Sequence, residues 1–287
     1  MLISTEIGSF RKKLGDDRKV ISLLKNAGFT AYDFSMSGEY GTNLLKDDDC
    51  IEYAKSFKSF ADDLNIVCNQ THAPFPTAKI NDDEYNKRIL PLLERSIKVS
   101  GILGAKICVV HPCNDYSPEQ NLSFYKQLLP VAKEYNVKIA TENMWNYDFE
   151  NKVIIPAANS DHVRFKKTMD LLHQLDKDVF VACVDIGHAE IKNLNTSAVQ
   201  MIKTLGEHVQ CIHLHDVDFI HDLHFLPFTS AIDYLPVIKA LKDINYTGDV
   251  TLESSYFLGK GLPVELLPSF AKLFADVANW FKNQIEK

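Results

Sequence analysis

The 287-residue sequence has no run approaching the roughly 18 consecutive apolar residues of a membrane-spanning helix, so a membrane-embedded protein is not expected. It has six cysteines but no Cys-x-x-Cys pair: Cys50, Cys68, Cys108, Cys113, Cys183 and Cys211. Four of them sit inside apolar, strand-like runs. That is how a reducing compartment uses cysteine, as a small buried hydrophobe and not as a disulfide framework. Arginine is scarce, at Arg11, Arg18, Arg88, Arg95 and Arg164. Lys+Arg total 31 against 38 Asp+Glu, and the net charge of −7 leaves little to track a phosphate backbone, so no nucleic-acid partner is expected. No Gly-x-Gly-x-x-Gly or P-loop follows any apolar run, which disfavours a nucleotide-binding open sheet. Pro/Gly/Ser-rich linkers and low-complexity tracts are also missing, so one domain over residues 1–287 is expected. The opening Met1-Leu2-Ile3-Ser4-Thr5-Glu6 lacks a basic stretch followed by a long apolar one, and a cytoplasmic location is expected.

What is present reads as an ordinary globular core, with 46% hydrophobic and 24% charged residues. Short β-branched, apolar runs recur at Leu2–Glu6, Ala31–Phe34, Ile66–Thr71, Ala105–His111, Val137–Glu142, Val179–Asp185, Val209–His215 and Asp249–Glu253. Each precedes a segment long enough for a helix. Ser117-Pro118-Glu119-Gln120 predicts a helix start with a capping box and a proline in the first turn. Leu266, Leu267, Phe270, Leu273, Phe274, Val277 and Phe281 predict one apolar face of a last helix. Gly28, Gly104 and Gly248 lie where left-handed helix caps are expected. Eight βα units in one domain make a (β/α)₈ TIM barrel, an α/β fold that typically takes about 250 residues.

In such a barrel the chemistry sits at the carboxyl ends of the strands. The third predicted strand ends at His72, the fourth at His111, the fifth at Glu142 and the sixth at Asp185, with His188 three residues on. The seventh carries His213 and His215, and the eighth ends at Glu253. The loop after the seventh adds His221, Asp222 and His224. The residues two before these ends are Gln70, Val109, Ala140, Cys183, Cys211 and Thr251. They share the inward parity and are mostly small or apolar, as a filled barrel interior requires. A lone histidine at a rim is usually just hydrogen-bonded. Buried carboxylates at an apolar rim, by contrast, need a cation partner. The mixed carboxylate and imidazole set suits Mn²⁺, Zn²⁺, Co²⁺ or Fe²⁺ better than Mg²⁺. His215 reads equally well as a support for the metal, and Asp216 and Asp218 as loop residues. Phe75, within His72-Ala73-Pro74-Phe75-Pro76, and Trp145 read as the wall of a substrate pocket, with Phe10 and Phe228 as weaker choices.

The motifs around Glu142, Asp185-Ile186-Gly187-His188, His213-Leu214-His215-Asp216, Asp222-Leu223-His224 and Glu253 resemble the xylose-isomerase-like TIM-barrel superfamily. That group includes sugar and sugar-phosphate isomerases and epimerases, and endonuclease IV. The resemblance implies one divalent metal held by Glu142, Asp185, His213 and Glu253. It implies that Glu142 and Glu253 are also the catalytic acid and base, working beside a carbonyl on opposite faces of the substrate. It implies that His188 touches a substrate hydroxyl. The larger ligand set of endonuclease IV is also matched, by His72, His111, Glu142, Asp185, His188, His213, Asp222, His224 and Glu253. Thus His72, His111, His188, His215, Asp222 and His224 stand either as substrate contacts or as further metal ligands. The acidic charge, the few arginines and the Phe225-Leu226-Pro227-Phe228-Thr229-Ser230 stretch favour the sugar reading over DNA. No lysine falls on an inward strand end, and the Gly-Glu-Gly common in the group's isomerases is replaced by Phe228-Thr229-Ser230. The expectation is a metal-dependent sugar isomerase or epimerase acting on a small sugar or polyol-like substrate. A multinuclear phosphodiesterase is the alternative, and a sugar-binding sensor a third reading. The sequence is compatible with an oligomer.

Overall fold

Alternation along the strands divides the apolar residues between two places. Val109, Ala140, Val181, Cys183 and Cys211 form their own small cluster inside a barrel. Their neighbours of opposite parity, among them Ile139, Val184, Ile212 and Leu252, join the large core between strands and helices. The strands are β1 (Ile3–Thr5), β2 (Ala31–Ser35), β3 (Val67–His72), β4 (Ile107–Val109), β5 (Lys138–Glu142), β6 (Trp145–Asp148), β7 (Val153–Pro156), β8 (Phe180–Asp185), β9 (Val209–Leu214) and β10 (Val250–Leu252). Eight of them form one parallel sheet in the order β1-β10-β9-β8-β5-β4-β3-β2. The seam between β1 and β2 is drawn together by the Glu6–Asp33 bridge and by Ile7 N donating to Asp33 O at 3.0 Å. This is the expected TIM barrel, seen in a computed structural model that describes residues 1–259 and 261–287. Among these residues no helix is long and apolar enough to cross a membrane.

Helices follow the strands, and the capping box forms as expected. Ser117 Oγ accepts from Gln120 N at 3.2 Å, and Gln120 Oε1 accepts from Ser117 N at 2.8 Å, opening the helix Pro118–Tyr135. The last helix, Leu267–Glu286, departs from the predicted face. It buries Leu267, Phe274 and Phe281 together with Ala271, Ala275 and Ala278, while Leu266 and Leu273 face outward. The alanines let the helix approach the strands closely, which a count of large apolar residues overlooks.

Two other differences have clear causes. Gly28 and Gly104 do take left-handed caps, but Gly248 does not, and Asn245 supplies the positive φ there. Gly248 is needed for space, because a Cβ at that position would stand 2.3 Å from Gln210 O and 2.5 Å from the Tyr246 ring. The antiparallel hairpin of β6 and β7 was not expected. It is an excursion after β5, off the barrel sheet, with Trp145 paired to Pro156 and Asp148 to Val153. A Gly248→Ala substitution should destabilise the fold by roughly 1–3 kcal/mol through overpacking, readable as a lower denaturant midpoint.

Candidate metal centre and its cavity

The strand ends deliver their side chains to one place. Glu142 closes β5, Asp185 closes β8, His213 lies in β9, and Glu253 follows β10 directly. One ligand atom from each of these four lies within 4.8 Å of the others. His213 Nδ1 stands 3.3 Å from Glu142 Oε2, 3.5 Å from Glu253 Oε2 and 3.9 Å from Asp185 Oδ2. With metal–ligand bonds of about 2.0–2.2 Å, two ligands of one ion stand at most about 4.4 Å apart, so these spacings fit. Glu142 Oε2 and His213 Nδ1 are both buried without a hydrogen-bond partner, which polar atoms in a protein interior rarely are. Glu142, Asp185 and His213 are buried, and the Glu253 side chain keeps 21% exposure on the cavity side.

A second group adjoins the first. His188 Nδ1 points to Asn143 O at 2.9 Å, and His224 Nδ1 to Glu253 O at 2.7 Å. Each ring therefore turns Nε2 toward Asp222 Oδ2, at 3.3 Å and 3.2 Å. A backbone carbonyl on the far nitrogen is the usual way a metal-binding histidine is oriented. His215 Nε2 lies 2.9 Å from Asp185 Oδ1 and 3.8 Å from Asp222 Oδ1, so it spans the two groups. Gly187 makes this possible, since a Cβ there would stand 2.1 Å from His215 Cε1. His111 Nε2 meets Glu142 Oε2 at 3.2 Å on the opposite side.

The electrostatics follow from burial and proximity. Burial alone would lift the Glu142 pKa, but His213 and His111 outweigh it and hold the carboxyl well below the usual range. Asp222 behaves likewise: burial works against ionisation, and His188 and His224 overcome it. Burial would lower His213, yet Glu142 and Glu253 raise it to about 9. His224 is raised to about 10, with Asp222 outweighing burial.

Several residues that shape the site were not foreseen. Asp33, on β2, is fully buried and sits 2.8 Å from His72 Nδ1. It takes the Gln70 Nε2 hydrogen bond at 2.9 Å, and the same amide nitrogen lies 2.9 Å from His213 Nε2. Gln70 therefore occupies the outer nitrogen of His213 and leaves Nδ1 facing the carboxylates. Asn143 pairs with the Asp185 backbone in both directions, at 2.9 Å and 2.8 Å. A carboxylate inside the apolar run Ala31-Tyr32-Asp33-Phe34 was the available signal for Asp33. Conversely, Asp216 is fully buried and clamps the following loop through the amides of Val217, Ser230, Ala231 and Ile232, while Asp218 pairs with exposed His221.

The rim opens into a cavity of about 710 Å³ lined by Phe75, His111, Trp145, His188, Asp222 and Glu253, among others. Phe75 and Trp145 thus both reach it. Trp145 Nε1 donates to Asp222 at 3.2 Å, and Phe75 meets the His111 ring edge-on at 5.0 Å. The two weaker wall choices fail. Phe10 is core, packed against Phe274, and Phe228 stacks on Phe281 away from the rim.

Acidic and imidazole side chains thus converge at the carboxyl ends of the strands of a TIM barrel. The xylose isomerase-like TIM barrel family matches residues 21–283, and the chain is a member of that family. It is 24% identical over 217 residues to an uncharacterized protein, MJ1311, of Methanocaldococcus jannaschii, spanning 70% of this chain and 69% of that one. A crystal structure of a D-tagatose 3-epimerase-like protein superposes with a TM-score of 0.75 at 18% identity, over 100% of this chain and 98% of that one. The IolI protein, solved with a zinc atom, superposes at 0.68 with 17% identity, over 100% and 98%. At these identities the two structures establish the shared fold.

The raised His213 gives a testable slope. Its proton stabilises the folded chain fully below the unfolded value of 6.5, and that contribution fades as pH rises to about 9. Chelator-treated protein should therefore lose thermal stability across that window. Saturating zinc should flatten or reverse the trend, because a metal ligand must give up its proton. A Tm of the chelated protein that climbs from pH 6.5 to 9 would contradict this electrostatic account.

Proposed function

We propose that the protein is a metal-dependent sugar isomerase or epimerase. The observation that carries this reading is the Glu142, Asp185, His213 and Glu253 quartet, in which Glu142 Oε2 and His213 Nδ1 are buried without a hydrogen bond and Glu142 and Glu253 line an aromatic-walled cavity. Those four residues would hold one divalent ion of the Mn²⁺, Zn²⁺, Co²⁺ or Fe²⁺ type. A bound ion of this kind supplies Lewis acidity toward a carbonyl and its neighbouring hydroxyl. For His213 to bind through Nδ1, that nitrogen must be free of its proton, and Gln70, which donates Nε2 to Asp33 and lies 2.9 Å from His213 Nε2, fixes the ring with Nδ1 toward the carboxylates.

The remaining chemistry belongs to the chain. Glu253, the more exposed of the two glutamates, is the group a substrate reaches first. It takes the proton from the carbon next to the carbonyl, and Glu142 serves as its counterpart from the buried side. His188, fixed by Asn143 O, presents Nε2 to a substrate hydroxyl. Phe75 and Trp145 offer flat apolar surface to the C–H face of a sugar and exclude water from the reacting carbon. The similarity in fold to a D-tagatose 3-epimerase-like protein and to zinc-bound IolI supports this direction.

One observation favours a second reading. His188, His215, Asp222 and His224 also place ligand atoms within 4.8 Å of one another and could hold a second ion, as a multinuclear phosphodiesterase requires. That reading requires nicking of abasic-site DNA. The sugar reading requires deuterium from solvent to enter a ketose at the carbon beside its carbonyl. Chelation should abolish the exchange and added Mn²⁺ or Co²⁺ restore it. Glu253→Gln should slow it by about 10²–10⁴-fold, the usual worth of a general base. Full exchange in a metal-loaded Glu253→Gln variant would refute the two-glutamate mechanism.

A further inference from the structure

The hairpin after β5 carries more aromatic surface than the metal rim uses. Residues two apart on a strand share a face, so Tyr147 continues the line begun by Trp145, and Phe149 follows just past the strand end. Trp145 is the inner member, since its ring meets His188 edge-on at 6.3 Å and its nitrogen bonds Asp222. Tyr147 and Phe149 stand further out, edge to face at 5.1 Å, and are 38% and 84% exposed. All three line the 710 Å³ cavity. That volume lies in the upper part of the roughly 300–1,000 Å³ range of drug-sized ligand pockets, more than a single free sugar fills.

The cleft also continues on the other side of the rim. A second cavity of about 450 Å³ shares His224 and Glu253 with the first. Its lining is polar, with Ser35, Ser37 and Ser255 beside the charged Glu6, Arg11 and Glu39. The rim therefore stands between a side suited to a polyhydroxylated chain and a side suited to a flat apolar ring. A contiguous row of exposed rings opening from a polar site marks a binding surface, whereas scattered single apolar residues do not.

We infer that the substrate is a sugar carrying an apolar-faced ring on one of its oxygens, a glycoside in chemical type. Its sugar end lies at Glu253 and the serine-lined side, and its outer ring stacks on Tyr147 and Phe149. If that oxygen is the anomeric one, the reacting carbonyl is elsewhere on the sugar ring. The inference rests on the isomerase reading for the sugar end, and on the hairpin alone for the outer ring.

The test reads binding without turnover. Zinc-loaded protein is titrated with phenyl β-D-glucopyranoside and with methyl β-D-glucopyranoside by calorimetry. The phenyl compound should bind about tenfold tighter, the scale of one aromatic stacking contact. In the Tyr147→Ser/Phe149→Ser double variant the ratio should fall to about one, consistent with loss of that contact. These side chains are exposed, and an unchanged Tm verifies that the variant is folded. Equal affinities, a ratio that survives the substitutions, or no binding of either compound would overturn the inference. A concentration-dependent dimer dissolved by the same substitutions would assign the rings to a self-contact and overturn it as well. Failure of solvent exchange with the phenyl preference intact would sink only the catalytic reading. Exchange without the preference would sink only this one.

Discussion

Burying several carboxylates at one point of an apolar barrel is the constraint on which the rest of this structure depends. Asp33, Glu142 and Asp185 are at most 1% exposed, directly above an interior filled by Val109, Ala140, Val181, Cys183 and Cys211. An isolated charge there would cost several kcal/mol even after relaxation, so each carboxylate must face a cation. The histidines answer that need at every step: His72 beside Asp33, His213 and His111 beside Glu142, His215 and His188 around Asp185. The cluster is thus held together by contacts between imidazoles and carboxylates, and the proposed divalent ion would join the same set.

Orientation is as constrained as charge. His188 and His224 have one nitrogen fixed by a backbone carbonyl, and His72 and His213 have one fixed by Asp33 and Gln70. Asn143 ties the ends of β5 and β8 together through the Asp185 backbone. Gly187 leaves room for the His215 ring where any side chain would collide with it. Such supports hold the imidazole and carboxylate atoms in fixed positions, as a preorganised site for an ion would require.

The barrel was legible because period-two alternation survives in short strands. Cys183 and Cys211 fell inward while Val184 and Ile212 fell outward, as parity requires. The meeting of Glu142, Asp185, His213 and Glu253 was legible because barrel topology converts eight distant strand ends into one ring. Asp33 was not, since a search confined to the third through eighth strand ends passes over the second. Gln70 was placed inward by parity, but its contact with His213 depends on side-chain reach across the barrel, which spacing does not encode. The β6–β7 hairpin was hidden for a different reason. Its residues alternate as a strand does, but it pairs with itself off the barrel, and Trp145 read only as a pocket wall. The last helix showed its large residues plainly, while the alanines that set its true buried face carry no such signal.

Whether this buried cluster holds a metal ion is the central question for the protein. Elemental analysis of protein purified without chelator, compared with a Glu142→Gln/His213→Gln double variant of matched fold, addresses that most directly. The parent protein should carry at least one equivalent of a transition-row divalent ion per chain, and the variant should lose the quartet's equivalent. A parent chain that carries no metal, and takes up none when offered Zn²⁺, Mn²⁺ or Co²⁺, would contradict the metal-site reading.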